Sequence, residues 1–152
     1  CGYDRPRAGD SPLHCAGTAM NGARGFLTFK EKLRDKAAKL IREAVLSCGT
    51  EIILDTPVDS GLLRGNWQTS LHTPPAGVKP LKDPSGSETI AALSRAVARL
   101  QPGDALFLAN NLPYAEAVEY GQHSRQTPAG MMRVNTAHWA RTVQDAARKA
   151  AS

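Results

Sequence analysis

From about Phe26 to Leu54 apolar residues return every three or four positions: Phe26, Phe29, Leu33, Ala37, Leu40, Ala44 and Cys48, with Ile41 and Val45 widening the stripe. That spacing predicts a long amphipathic helix, with Thr28 or Asn21 as candidate caps at its start. Pro57 predicts its end, because the residue before a proline is pushed out of helical geometry. Asp55–Gly61 (DTPVDSG) then reads as a turn, in which Asp59 and Ser60 bond nearby N–H groups and Gly61 takes a positive φ. Trp67, Thr69 and Leu71 alternate with Gln68, Ser70 and His72, the period of a strand.

The segment His72–Ser87 holds four prolines and two glycines and reads as a surface loop, long enough for function or mobility. Ser85 and Glu88 are spaced as a capping box before Ile90, Leu93, Val97 and Leu100, the stripe of a second helix. Gln101–Asp104 (QPGD) turns the chain into an apolar strand at Ala105–Ala109. In Asn110–Gly121 (NNLPYAEAVEYG), Pro113 suits the first turn of a short helix and Gly121 its end. After a loop at His123–Gly130, a last helix is expected over Met131–Ala150. Its inward positions would be Met131, Val134, Ala137, Ala140, Val143 and Ala147, with Trp139 near the edge. The order α-β-α-β-α predicts an α+β fold: a long N-terminal helix and further helices packed on a small, mostly antiparallel sheet. Residues 1–25 show little periodicity and are expected to be an extended arm or leader, leaving 26–152 as a single domain.

The chain has 152 residues and a mass of 16.2 kDa, the size of one domain. Hydrophobic residues make up 41% and charged residues 22%, which argues against wholesale disorder. No apolar run approaches the ~20 residues of a membrane-spanning helix, so no membrane partner is expected. The first 17 residues lack the apolar stretch of a secretory signal. Three cysteines with no metal-type spacing fit a reduced compartment, and Cys48, on the helical stripe, reads as a small core hydrophobe. The net charge of +5 is spread along the chain rather than gathered in one block. Its densest stretch is Lys30–Glu43, where acids alternate with bases. There Lys32, Lys36, Lys39 and Arg42 fall near one another on the helix surface. They read either as a solvated face or as a surface toward a polyanion such as DNA, or toward an acidic subunit.

The four histidines stand apart from one another and from the cysteines except at His14–Cys15, so no zinc site is expected. Asp55 and Asp59 bracket a turn and read as capping residues. Glu116 and Glu119, three apart on a short helix, read as solvent-facing or as partners of ion pairs between subunits. Phosphate-binding glycine loops and the nucleophile elbow are missing from the sequence. No catalytic residue, metal ligand or cofactor is assigned, and the chain is not expected to be an enzyme. Asn110 and Asn111 mark constrained backbone at a strand-to-helix corner. Tyr114 and Tyr120 are anchors for a core edge or a subunit contact, while Trp67 and Trp139 fall on apolar faces and read as core.

The Asp-Thr-Pro-Val-Asp-Ser-Gly-x-Leu-Arg stretch (Asp55–Arg64) resembles one half of a signature in tailed-phage morphogenesis proteins. Asn-Asn-x-Pro-Tyr-Ala-x-x-x-Glu-Tyr-Gly (Asn110–Gly121) resembles the other half. In order, and followed by Gln126–Met131 (QTPAGM), they are similar to the HK97 gp10-like family of neck and tail-completion proteins, over roughly Phe26–Ala150. The resemblance implies a structural virion protein at the head–tail junction, made in the host bacterial cytoplasm. It also implies a homo-oligomeric ring, taken as hexameric, between capsid connector and tail. Its partners would be neighbouring neck and tail proteins, with non-specific contact to packaged DNA. A terminator capping the tail tube and a small basic DNA-binding protein are the alternatives. Interface candidates are Arg64, Trp67, Asn110, Asn111, Tyr114, Glu116, Glu119 and Tyr120; Lys32, Lys36, Lys39 and Arg42 are the DNA-facing candidates.

Overall fold

The computed structural model describes residues 16–122 and 124–151, without the side chains of residues 16–23 and 151. The arm expected over residues 1–25 falls, up to Cys15, outside the described residues, as does His123. The chain divides into two compact units, Cys1–Leu33 and Arg34–Ser152.

In the first unit every described residue is helical, forming the opening turns of α1 (Ala16–Asp55). Residues 16–25 are therefore helix rather than extended arm. No proline interrupts them, and their glycines weaken a helix without breaking it. Thr28, a candidate cap, lies inside the helix, where its hydroxyl donates to the Arg24 carbonyl at 2.9 Å. The apolar stripe is bare here: Phe26 is 67% exposed, Phe29 63% and Leu33 57%.

In the second unit α1 buries Ala38, Ala44, Cys48, Ile52 and Ile53; Ala44 and Cys48 of the expected stripe face the core, while Ala37 is exposed and Ala38 is buried beside it. The helix stops ahead of Pro57, with the Thr56 hydroxyl donating to the Ile52 carbonyl at 2.8 Å. A single turn follows, α2 (Leu62–Gly65), entered through Gly61 at φ 80°. The strands β1 (Trp67–Leu71) and β2 (Leu106–Asn110) form a two-stranded antiparallel sheet, in register from Trp67↔Asn110 to Leu71↔Leu106. Against β1 packs α3 (Ser87–Ala98). The architecture is α+β: helices packed on a small antiparallel sheet.

Two sequence expectations about helix ends are corrected. The capping box at Ser85 does not form, because Gly86 occupies the cap position at φ 77° and contributes no side chain. Instead the buried Asp83 carboxylate accepts from the Thr89 N–H and hydroxyl, both at 2.9 Å. The final helix is two, α5 (Met132–Ala137) and α6 (Trp139–Ala151), broken at His138. The buried positions are Met131, Asn135, Thr142 and Ala146, spaced by four, seven and four as on one helical face; the expected set steps mostly by three and drifts around the helix, so Ala137 and Ala140 are exposed. Trp139, expected in the core, is 42% exposed.

The core centres on Ile53, Leu93 and Met131, with Trp67, Val97 and Val118 around them. Each such side chain contributes about 1.5–3 kcal/mol by leaving water. Gly49 lets α1 and α3 approach closely, since a Cβ there would meet Leu93 Cδ2 at 2.6 Å. Cys48 is a free, buried thiol, and burial pushes its titration up, followed by the nearby Glu51 charge.

Candidate functional site

The segments Asp55–Arg64 and Asn110–Gly121 are far apart in sequence and adjacent in the fold. The Asn110 amide donates to the Leu63 carbonyl at 2.8 Å, tying the end of β2 to α2. The Val58 N–H donates to the Gln126 side-chain oxygen at 3.2 Å, bringing the QTPAGM segment alongside. Between them lies a groove of roughly 440 Å³, with Pro57, Val58, Asp59 and Leu62 on one side and Tyr114, Val118 and Gln126 on the other.

Each half is locked by polar side chains aimed at backbone. Arg64 donates to the Thr56 carbonyl through Nε at 3.2 Å and Nη2 at 2.7 Å. It also reaches the Leu54 carbonyl at 2.7 Å and the Pro84 carbonyl at 2.6 Å. A guanidinium thereby satisfies orphan carbonyls at the end of α1, where positive charge is also favoured by the helix dipole. The Trp67 indole N–H donates to the Thr56 hydroxyl at 2.7 Å, so the strand's buried aromatic is fastened to the same turn. Asn66, fully buried, donates to the Leu62 and Lys79 carbonyls at 2.8 and 2.9 Å and accepts from the Lys79 N–H at 2.8 Å. With Gln68 and Asn111 donating to Gly77, it fastens the proline-rich segment to the sheet.

In the other half, α4 (Ala115–Glu119) begins after Pro113 and ends at Gly121, φ 73°. Its last residue, Glu119, accepts from three successive backbone N–H groups at the start of α5. These are Met131 at 2.8 Å, Met132 at 3.0 Å and Arg133 at 2.8 Å. Burial pushes this carboxyl up, but the three N–H donors and the Arg133 charge outweigh it, so it titrates below the usual carboxylate range. Arg133 closes the unit, donating to the Glu119 carbonyl at 2.9 Å and lying 4.8 Å over the Tyr120 ring.

The eight interface candidates therefore sort by geometry. Arg64, Trp67, Asn110 and Glu119 spend their polar atoms inside the fold. Glu119, read from the sequence as solvent-facing or as an intersubunit ion-pair partner, is instead the acceptor that starts α5. Asn111 is exposed yet donates to the Pro75 and Gly77 carbonyls. Tyr114, Glu116 and Tyr120 are exposed, Tyr120 by 58%; Tyr114 lines the groove, whereas Glu116 and Tyr120 are not among its lining residues. Of the basic candidates, Lys32, Lys36 and Lys39 are exposed, whereas Arg42 donates to the Leu100 carbonyl at 2.8 Å and ties α1 to the end of α3.

Asp55, bracketing the turn, accepts from the Asn135 amide at 2.8 Å and links α1 to α5. Among the described residues no group of three His, Cys, Asp or Glu side chains could hold a metal ion, and no helix is long and apolar enough to cross a membrane. The arrangement offers shape, aromatic surface and charge. The fastening roles of Asn66, Asp83 and Glu119 escape sequence periodicity. The signal available for Glu119 was α5 itself, whose first turn carries no acidic or capping side chain of its own. Compared with models of known families, with curated proteins and with solved structures, the chain has no match.

Proposed function

We propose that this chain is a non-enzymatic structural protein of a tailed-phage virion, a ring-forming part of the head–tail junction with a neck or tail-completion role. The observation that carries the reading is the convergence of its two motif segments. Asp55–Arg64 and Asn110–Gly121, which together resemble the HK97 gp10-like signature, line one groove and are tied by the Asn110–Leu63 bond, while the Val58–Gln126 bond holds the QTPAGM segment alongside. Signature residues that fasten such a corner, while Tyr114, Glu116 and Tyr120 of the same segment stay exposed, suit a head-to-tail contact between identical subunits. Contacts of that heterologous type close into a ring when the rotation allows.

In this reading the partners are further copies of the chain, six to a ring, and the neck and tail proteins above and below. A net charge of +5 suits a lumen through which packaged DNA passes without sequence readout. The protein would be made in the bacterial cytoplasm and reside in the virion. Quantitative mass spectrometry of purified virions, counting this chain against the major capsid protein, tests it. A fixed copy number on the order of one ring per particle is expected; its absence from purified virions overturns the reading.

A further inference from the structure

We propose that the opening half of α1 is a docking helix for a second protein, one that presents an apolar groove edged by carboxylates. The inference stands independently of the virion reading. Residues 24–33 are all exposed, and among them Phe26, Phe29 and Leu33 keep 67%, 63% and 57% of their surface in water. Single exposed apolar residues need no explanation, but three large ones at helical spacing form a contiguous seam. At about 100° per residue, Phe29, Leu33 and Phe26 fall within an arc of roughly 60°. Leu27 lies off that seam.

The charges are arranged around it. Lys30 sits on one flank and Lys32 on the other, while Glu31 lies on the opposite side of the helix. Among the described residues, no carboxylate lies within ion-pair distance of Lys30 or Lys32. The seam is thus edged by positive charge on both sides and shielded from its own acids.

This pattern selects the occupant. A second copy bringing the same seam would set lysine against lysine along both flanks, the like-charge pairing that disfavours helix association. A membrane surface would take a broad apolar face with cations spread over the polar side. The seam here is too narrow for that and matches the one-helix footprint of helix-in-groove docking. DNA would satisfy the cations and leave two phenylalanines and a leucine in water. A carboxylate-edged apolar groove satisfies both halves of the pattern.

The test uses the full chain and two labelled helical peptides with identical leucine seams, one flanked by glutamate and one by lysine, read by fluorescence anisotropy. The glutamate peptide is expected to bind at least about tenfold tighter than its lysine twin, with an affinity that falls as salt rises. Phe29→Ala with Leu33→Ala is expected to weaken that binding about tenfold or more. Lys30→Glu with Lys32→Glu, which keeps good helix formers, is expected to reverse the peptide preference. Circular dichroism checks that each variant keeps its helix. Equal binding of the two peptides, or binding of neither, overturns the proposal. So does stronger uptake by phosphatidylcholine–phosphatidylserine vesicles, or a dimer in sedimentation that Phe29→Ala with Leu33→Ala dissolves.

Discussion

Glu119 is the residue on which the corner between α4 and α5 should depend most. Its side chain is only 16% exposed, and its two oxygens accept from three successive N–H groups that have no partner within α5. Glu119→Ala removes the acceptor and orphans all three donors. One lost cap costs about 1 kcal/mol, and a charged, partly buried acceptor of three bonds raises this to about 3 kcal/mol. Glu119→Gln keeps one oxygen but turns an amide N–H toward a backbone N–H, and should cost about 2 kcal/mol.

In a chain of this size, Glu119→Ala should lower the melting temperature by roughly 6–12 °C. Urea unfolding followed by circular dichroism measures the loss as a shift in midpoint at constant slope. The pH dependence separates charge from shape. The folded carboxyl titrates below its unfolded value of 4.5, so its contribution is fully present above that value and fades as pH falls through the folded one. The stability gap between wild type and Glu119→Gln should stay constant near neutral pH and close in acid. A gap below about 0.5 kcal/mol at pH 7, or one unchanged at pH 3, would refute the reasoning.

Arg64→Met keeps the aliphatic stem and removes the guanidinium, leaving the buried Thr56 carbonyl without its donor. Urea unfolding should show a loss of about 2–3 kcal/mol. Gly61→Ala should cost at least about 2 kcal/mol by the same measurement, because φ is 80° there and the new Cβ would meet the Pro84 nitrogen at 2.6 Å. Asp83→Ala orphans the buried Thr89 N–H and should cost about 2–3 kcal/mol. Burial pushes the Asp83 carboxyl up, but the Thr89, Ser85 and Gly86 donors leave it lowered, so its contribution also disappears on acidification; a pH titration of the variant's melting temperature checks the sign.

The second-unit part of α1, the turn at Gly61, the strand at Trp67 and the end of α4 at Gly121 were all legible, because each rests on local rules. Stripe period, proline exclusion, alternation and positive φ act within a few residues. The helical start at Ala16 was not legible, since three glycines and small residues carry no apolar pattern to read. In the last helical stretch the many alanines allow several registers, and the set read from the sequence stepped mostly by three and drifted off the face that Asn135, Thr142 and Ala146 share. Within the candidate site the motif segments were visible but the fasteners were not. Glu119 meets donors 12 to 14 residues away, and Asn66 meets Lys79 13 residues away. Such pairings leave no periodic trace. The stripe at Phe26–Leu33 was legible as one face of a helix, but its exposure was not, because periodicity reports amphipathicity and not the presence of a partner.

A two-stranded sheet is marginal by itself, and long irregular segments flank it. Two separate sources of order follow: apolar packing of α1 and α3 around Leu93, and polar side chains that hold irregular backbone. They should fail separately. Asn66→Ala removes the bonds at Lys79 while leaving the packing around Ile53 and Leu93 in place, so amide exchange should quicken at Lys79 and its neighbours well before α1 or α3 responds. Leu93→Ala, which empties a fully buried site at a cost of about 2–5 kcal/mol, should lower protection in α1, α3 and β1 together. If Asn66→Ala reduced protection uniformly instead, the proline-rich segment would belong to the cooperative core, and the division between packed and fastened regions would be wrong.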